Sequence, residues 1–172
     1  MYNAKELVDK GIVTGPILDK NVQMHGVDLN LIAIKRVLGG GHIPLLGKTV
    51  LGEYEEVELT DGVWHLTPGV YDITFAQGCK IPNDIMMLIR QRSSLLRNGT
   101  MLHSSVFDAG FETEQMGTVM TVQCPITIEE GARVAQIYSH QGTPVEDERL
   151  YTGMWQGDKQ REYMKVKPSS SE

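Results

Sequence analysis

The sequence predicts a mostly β protein, a distorted barrel or jelly roll with a short N-terminal helix and a C-terminal arm, on three observations. From Val22 onward, β-branched residues cluster in short segments such as 26–31 and 70–75. Gly, Pro, Asn and Asp break these segments at the close intervals expected of a sandwich or barrel. Helical character, by contrast, is concentrated near the N-terminus. A chain of 172 residues, 41% of them hydrophobic, is long enough for one domain with a core and short for two. The expected division is a barrel domain over 1–150 and an arm over 151–172 whose end is disordered.

Each element follows from local chemistry. Asn3 before Ala4-Lys-Glu-Leu-Val-Asp-Lys10, with Gly11 after it, reads as an N-capped helix of two turns closed by glycine. Gly26-Val-Asp-Leu-Asn-Leu31 reads as a strand with a polar residue at Asp28. The stretch from Leu38 to Gly52 holds five of the eighteen glycines, together with Pro44, and is expected to be a loop excursion. Leu66-Thr-Pro-Gly69 and Ile128-Glu-Glu-Gly131 are turn signals, and Val70–Phe75 is a strand. From about Glu146 the sequence becomes highly charged, yet carries Tyr151, Trp155 and Tyr163. Such a segment is expected to be an extended arm that needs an outside surface to pack on.

Composition removes several function classes. No apolar run approaches the roughly 20 residues that cross a bilayer, and the charged N-terminus is not followed by an apolar segment. A cytoplasmic protein with no membrane association is therefore expected. Cys79 and Cys124 lie far apart without C-x-x-C spacing, which argues for free thiols rather than a zinc site or disulfide framework. A formal net charge of −6 is the wrong sign for a nucleic-acid surface. A small anionic ligand is different, because a few local cations suffice.

The chemistry concentrates in two neighbouring segments. Arg90-Gln-Arg-Ser-Ser-Leu-Leu-Arg97 offers cations, two hydroxyls and the backbone N–H groups opening a short helix, all suited to an anion. Asp108-Ala-Gly-Phe111 follows closely with a carboxylate and a flat apolar face. This pattern resembles the nucleotide site of the dUTPase and dCTP deaminase superfamily. Gly26-Val-Asp-Leu29 is similar to that family's first motif, and Gly131-Ala-Arg-Val-Ala-Gln-Ile137 to its fourth, with Val134 where isoleucine is usual. Pro-Gly and Ile-Pro turns at 68–69 and 81–82 sit where the family carries them. Tyr151-Thr-Gly-Met-Trp-Gln-Gly157 resembles the nucleotide-closing segment of archaeal-type members. These segments occur in family order and cover most of residues 3 to 157.

The resemblance implies a dUTP diphosphatase that releases dUMP and pyrophosphate. Asp108 would orient and deprotonate the water; Arg92, Ser93, Ser94, Arg97 and Gln136 would hold the phosphates. Phe111 would stack on the deoxyribose and exclude a 2′-hydroxyl. The hairpin carrying His103, Ser104, Ser105 and Val106 would read the pyrimidine, mainly through backbone groups, with His103 packed or hydrogen-bonded rather than a general base. Tyr151, Trp155 and Gln156 would close over the site. Mg²⁺ would arrive on the phosphates, with Asp28 near it at most and no dedicated protein ligands. The family also implies a homotrimer whose sites are shared between subunits.

Two alternatives stand beside this reading. A dCTP deaminase, or a bifunctional deaminase and diphosphatase, needs a glutamate on the strand after the aspartate hairpin. That position falls at about Val122, while Glu112 and Glu114 read as solvated turn acids. A nucleotide-binding regulatory module on the same fold is the other, suggested by the divergent arm and the Gly39-Gly-Gly41 loop. The base preference and the cellular or viral origin stay open.

Overall fold

The computed structural model describes residues 1–157 and 165–167. Helix α1 (Ala4–Asp9) begins where the sequence places it. The Asn3 side chain accepts from the Glu6 N–H while Glu6 reaches back to the Asn3 N–H, a reciprocal capping box. Gly11, at φ +65°, supplies the left-handed residue after the helix. Ala4 and Leu7 are buried, so the helix packs on the barrel by one face.

Thirteen strands follow among the described residues: β1 (Val13–Thr14), β2 (Gly26–Gly39), β3 (Glu53–Glu56), β4 (Val63–Leu66), β5 (Gly69–Phe75), β6 (Gly78–Lys80), β7 (Ile85–Gln91), β8 (Thr100–His103), β9 (Glu112–Thr113), β10 (Gly117–Val122), β11 (Ile126–Glu129), β12 (Arg133–Gln141) and β13 (Lys165–Lys167). Helix α2 (Ser93–Arg97) lies between β7 and β8. The main wall runs β7-β12-β2-β5-β10-β8, antiparallel at each pairing. Beyond β8, Phe107 and Met87 exchange backbone hydrogen bonds at 3.0 Å, which brings the chain back to β7. The wall is thereby nearly closed into a barrel, the predicted class.

Long β2 makes the corner. Its first half pairs with β12 through Asn30, and its second half pairs with β5 from Leu31, with a register irregularity between Leu31 and Ala33. Such irregularities bend a strand and let it change partners. Inward positions fill the core: Leu29, Leu31 and Ile34 on β2, Tyr71, Ile73 and Phe75 on β5, Met87 and Ile89 on β7, Met120 on β10. Alternation then sends Val70, Asp72 and Thr74 to the outer face of β5.

A buried amide network locks the loops at one end. The Gln77 side chain accepts from the Asn30 N–H and donates to the Pro16 carbonyl and to Asn30 Oδ1, each at 2.8 Å, while Asn21 donates to the Asp28 carbonyl at 2.8 Å. Gln77 and Asn21 are fully buried.

Two expectations change in detail. The 38–52 excursion is a ribbon rather than a plain loop: β2 continues to Gly39, and His42 and Val50 exchange backbone hydrogen bonds before β3. The tail over 146–157 folds back on its own chain. The Tyr151 N–H donates to the Ala109 carbonyl at 2.9 Å, the Gln156 amide donates to the Gly110 carbonyl at 3.0 Å, and Tyr151 meets the Phe111 ring edge-on at 5.5 Å. Tyr163 and the predicted disordered end at 168–172 lie outside the described residues. Among the described residues, no helix is long and apolar enough to cross a membrane.

Candidate active site

A cavity of about 550 Å³ opens on the outer face of β5, β10 and β8. Register explains its floor. Val119 of β10 is opposite Asp72 of β5 on one side and His103 of β8 on the other, and Gly117 is opposite Thr74. Above this floor, the chain leaves β8 through Ser104, Ser105 and Val106, passes Asp108 and Phe111, and returns at Gly117. The β8–β10 pairing begins at His103 and Val119, so the hairpin is split above them. Tyr151 and Trp155 of the tail form the remaining wall.

The structure therefore gathers eight of the residues expected at the site: His103, Ser104, Ser105, Val106, Asp108, Phe111, Tyr151 and Trp155. Their states differ. Asp108 is exposed and accessible. Phe111 is only 7% exposed, its edges covered by Phe107 and Tyr151. His103 Nε2 is 2.8 Å from Thr121 Oγ1, a hydrogen bond that holds the imidazole against the sheet. Ser104 is spent on scaffolding, accepting from the Ile89 N–H and donating to the Ser105 carbonyl. Gln156 braces the loop from behind, bonded to Gly110 and to the Glu112 N–H.

The other expected residues lie outside this cavity. Ser93, Ser94 and Arg97 sit on α2, exposed to solvent. Arg92 and Gln136 converge on Asp28, which is buried on β2. Asp28 Oδ2 is 3.4 Å from Arg92 Nε and 3.1 Å from Arg133 Nη1, and Oδ1 accepts from the Gln136 amide at 3.1 Å. Two guanidiniums on Oδ2 and the Gln136 amide on Oδ1 satisfy both oxygens of this buried carboxylate, so Asp28 is engaged in holding Arg92 at the head of α2. Among the described residues, no cluster of three or more His, Cys, Asp or Glu side chains forms a metal cage.

Sequence reasoning missed Asp72, Thr74, Phe107, Gly117, Thr118 and Val119 as lining residues. The outward alternation of β5 was a usable signal for the first two; the rest depend on register. Glu112 and Glu114 are exposed, as expected, and Glu112 pairs with Lys80 at 2.7 Å. Val122 is buried opposite Thr100 and Gly69, facing the core. The cavity lining thus carries two carboxylates and one imidazole, with no Lys or Arg among its described residues. Asp72 also acts at a distance, since burial and then its negative charge push the Tyr54 phenol above the ordinary tyrosine pKa.

Comparison with known proteins identifies the family. The family model for dCTP deaminase-like proteins matches residues 3–142. A probable deoxyuridine 5′-triphosphate nucleotidohydrolase of Halobacterium salinarum is 35% identical over 150 residues, covering 84% of this chain and 88% of that protein. The deoxyuridine 5′-triphosphate nucleotidohydrolase of Methanocaldococcus jannaschii is 34% identical over 142 residues, 81% of this chain and 89% of its own length. Among solved structures, 2′-deoxycytidine 5′-triphosphate deaminase from Agrobacterium tumefaciens superposes with a TM-score of 0.62 at 18% identity, covering 80% of this chain. That likeness is one of fold, and the match spans 46% of the deaminase chain. By the family model and by identity over most of its length, the chain belongs to the dCTP deaminase-like family.

Proposed function

We propose that the chain is a dUTP diphosphatase, hydrolysing dUTP to dUMP and pyrophosphate. The observation that carries this reading is the meeting, in one cavity, of an accessible carboxylate, an aromatic ring and the backbone of a split hairpin. Asp108 orients a water and accepts its proton as the water oxygen attacks the α-phosphorus. The bond from that phosphorus to the bridging oxygen breaks, pyrophosphate leaves with the electron pair, and the proton passes from Asp108 to solvent. Phe111 sets the sugar against an apolar face where a 2′-hydroxyl finds no partner. Backbone groups of Ser105, Val106 and Gly117 read the pyrimidine.

A triphosphate carries several negative charges, and among the described residues the cavity lining supplies no guanidinium or ammonium against them. The cations and hydroxyls of Arg92, Ser93, Ser94 and Arg97 stand on another part of the surface. Completing the site from a second copy of the chain, in a homotrimer, joins the two halves. The donor set fits Mg²⁺ carried by the phosphates: Asp28 has both oxygens engaged, and among the described residues no cluster of three or more His, Cys, Asp or Glu side chains stands ready to hold the ion. When bound, Mg²⁺ withdraws charge from the phosphate oxygens. Residues 151–157 act as the wall that excludes water, and the arm is read as starting there. Deamination is disfavoured because Val122 carries no group that moves a proton.

Asp108→Asn tests the reading. It keeps shape and a hydrogen-bonding side chain but removes the base, so pyrophosphate release should fall by about 10²–10⁴ with nucleotide affinity within about tenfold. A variant that keeps more than about a tenth of the rate transfers the role to another carboxylate.

A further inference from the structure

The cavity is wider than the chemistry assigned to it. Asp72, Val119 and His103 form one cross-strand row on its floor. With neighbouring strands about 4.8 Å apart, that row is about 10 Å wide from β5 to β8. A pyrimidine read by the split hairpin sits on the β8–β10 side, where its carbonyls and ring N–H meet backbone groups. The β5 side then remains, walled by the Asp72 carboxylate and the Thr74 hydroxyl. Hydrolysis uses neither.

We propose that the β5 side of the cavity receives a hydrogen-bond donor on carbon 5 of the pyrimidine, so that the chain selects nucleotides bearing a hydroxymethyl group there over those bearing a methyl. The ring edge that pairs with the hairpin is the one carrying the carbonyls and the N–H. The carbon-5 edge is left for the rest of the cavity. An ionised aspartate only accepts hydrogen bonds: it welcomes a hydroxyl and offers a methyl nothing. Asp72 is engaged within the chain as well, but a carboxylate has about four acceptor sites, and a second donor can join. Val119, at the centre of the row, gives the substituent an apolar floor.

The inference rests on the diphosphatase reading, and the test separates the two. Calorimetric binding of 5-hydroxymethyl-dUMP and dTMP to the full chain needs no turnover, while pyrophosphate release from dUTP reports the reaction. The expected result is affinity at least about tenfold higher for 5-hydroxymethyl-dUMP, in the range of one hydrogen bond to a charged acceptor. In Asp72→Ala that ratio should fall toward one, and in Asp72→Asn it should fall partway, with melting curves confirming that each variant is folded. Equal affinities in the unmodified chain, or a ratio that neither variant changes, overturn the inference even if dUTP is hydrolysed. A preserved ratio without pyrophosphate release leaves the binding inference standing and removes the diphosphatase.

Discussion

Gly110→Ala isolates the contribution of the docked tail. Gly110 has φ +85°, the left-handed region, where an alanine costs about 1–2 kcal/mol. A Cβ placed there lies 2.7 Å from the Cβ of Leu150 and 3.1 Å from the Tyr151 nitrogen. Neither atom can swing aside, since both are fixed to the tail backbone, so the tail must move. Moving it forfeits the edge contact of Tyr151 with Phe111, about 0.5–1.5 kcal/mol. The bonds Tyr151 N–H to Ala109 and Gln156 to Gly110 go with it, about 0.5–1.5 kcal/mol each. The docking energy at stake is therefore about 1.5–4.5 kcal/mol, and kcat/KM on dUTP should fall by about tenfold to a thousandfold. Global stability should drop by the backbone strain together with the lost docking energy, because Tyr151 and Trp155 pack against the core. Two tryptophans make this visible: Trp64 is 2% exposed in the core, and Trp155 reports the tail. The variant should show a red-shifted Trp155 component, a lowered melting point and the kinetic loss. An unchanged spectrum with unchanged kinetics refutes the wall, and a protein that fails to fold shows the tail to be structural.

Other perturbations test separate parts of the account. Phe111→Ala should raise activity on UTP relative to dUTP, if the ring faces the sugar as proposed; an equal fall on both substrates reduces Phe111 to packing. Gln77→Ala removes a fully buried amide and leaves the Asn30 N–H and the Pro16 carbonyl without their partner. At about 1–3 kcal/mol for each orphaned group, it should cost about 3 kcal/mol, or about 6–12 °C in melting temperature for a chain of this size. A loss under about 1 kcal/mol in denaturant unfolding contradicts that. Burial pushes the Cys79 thiol up to about 12, with Glu112 adding to the shift, whereas Cys124 is exposed. Thiol reagents at pH 8 should modify one cysteine in the folded chain and two in the unfolded chain. Mass spectrometry that finds Cys79 labelled natively rules out that burial.

The parts of this fold that the sequence reveals are those set by neighbours in the chain. Asn3 and Glu6 announce α1 because a capping box spans three residues, and Asp108 through Phe111 form one short loop whose chemistry is legible in place. The missed residues are set by register. Asp72 joins the site because Val119 lies between it and His103, a relation across three strands that no local pattern encodes. Arg92 and Gln136 look like free phosphate ligands in the sequence; in the fold they are tied to Asp28, 64 and 108 positions away. The charged tail suggests an outside surface because its aromatic residues stand in a highly charged stretch of sequence. The partner of Tyr151 is Phe111, forty residues earlier, and Gly110 leaves room for Leu150 beside it.

The most direct test of the central claim is product analysis by phosphorus NMR after incubating the chain with Mg²⁺ and dUTP, with dCTP in a parallel tube assayed for ammonia. The account predicts dUMP and pyrophosphate in equal amounts from dUTP, and no ammonia from dCTP. Inorganic phosphate in place of pyrophosphate, release of ammonia, or an unchanged triphosphate contradicts it.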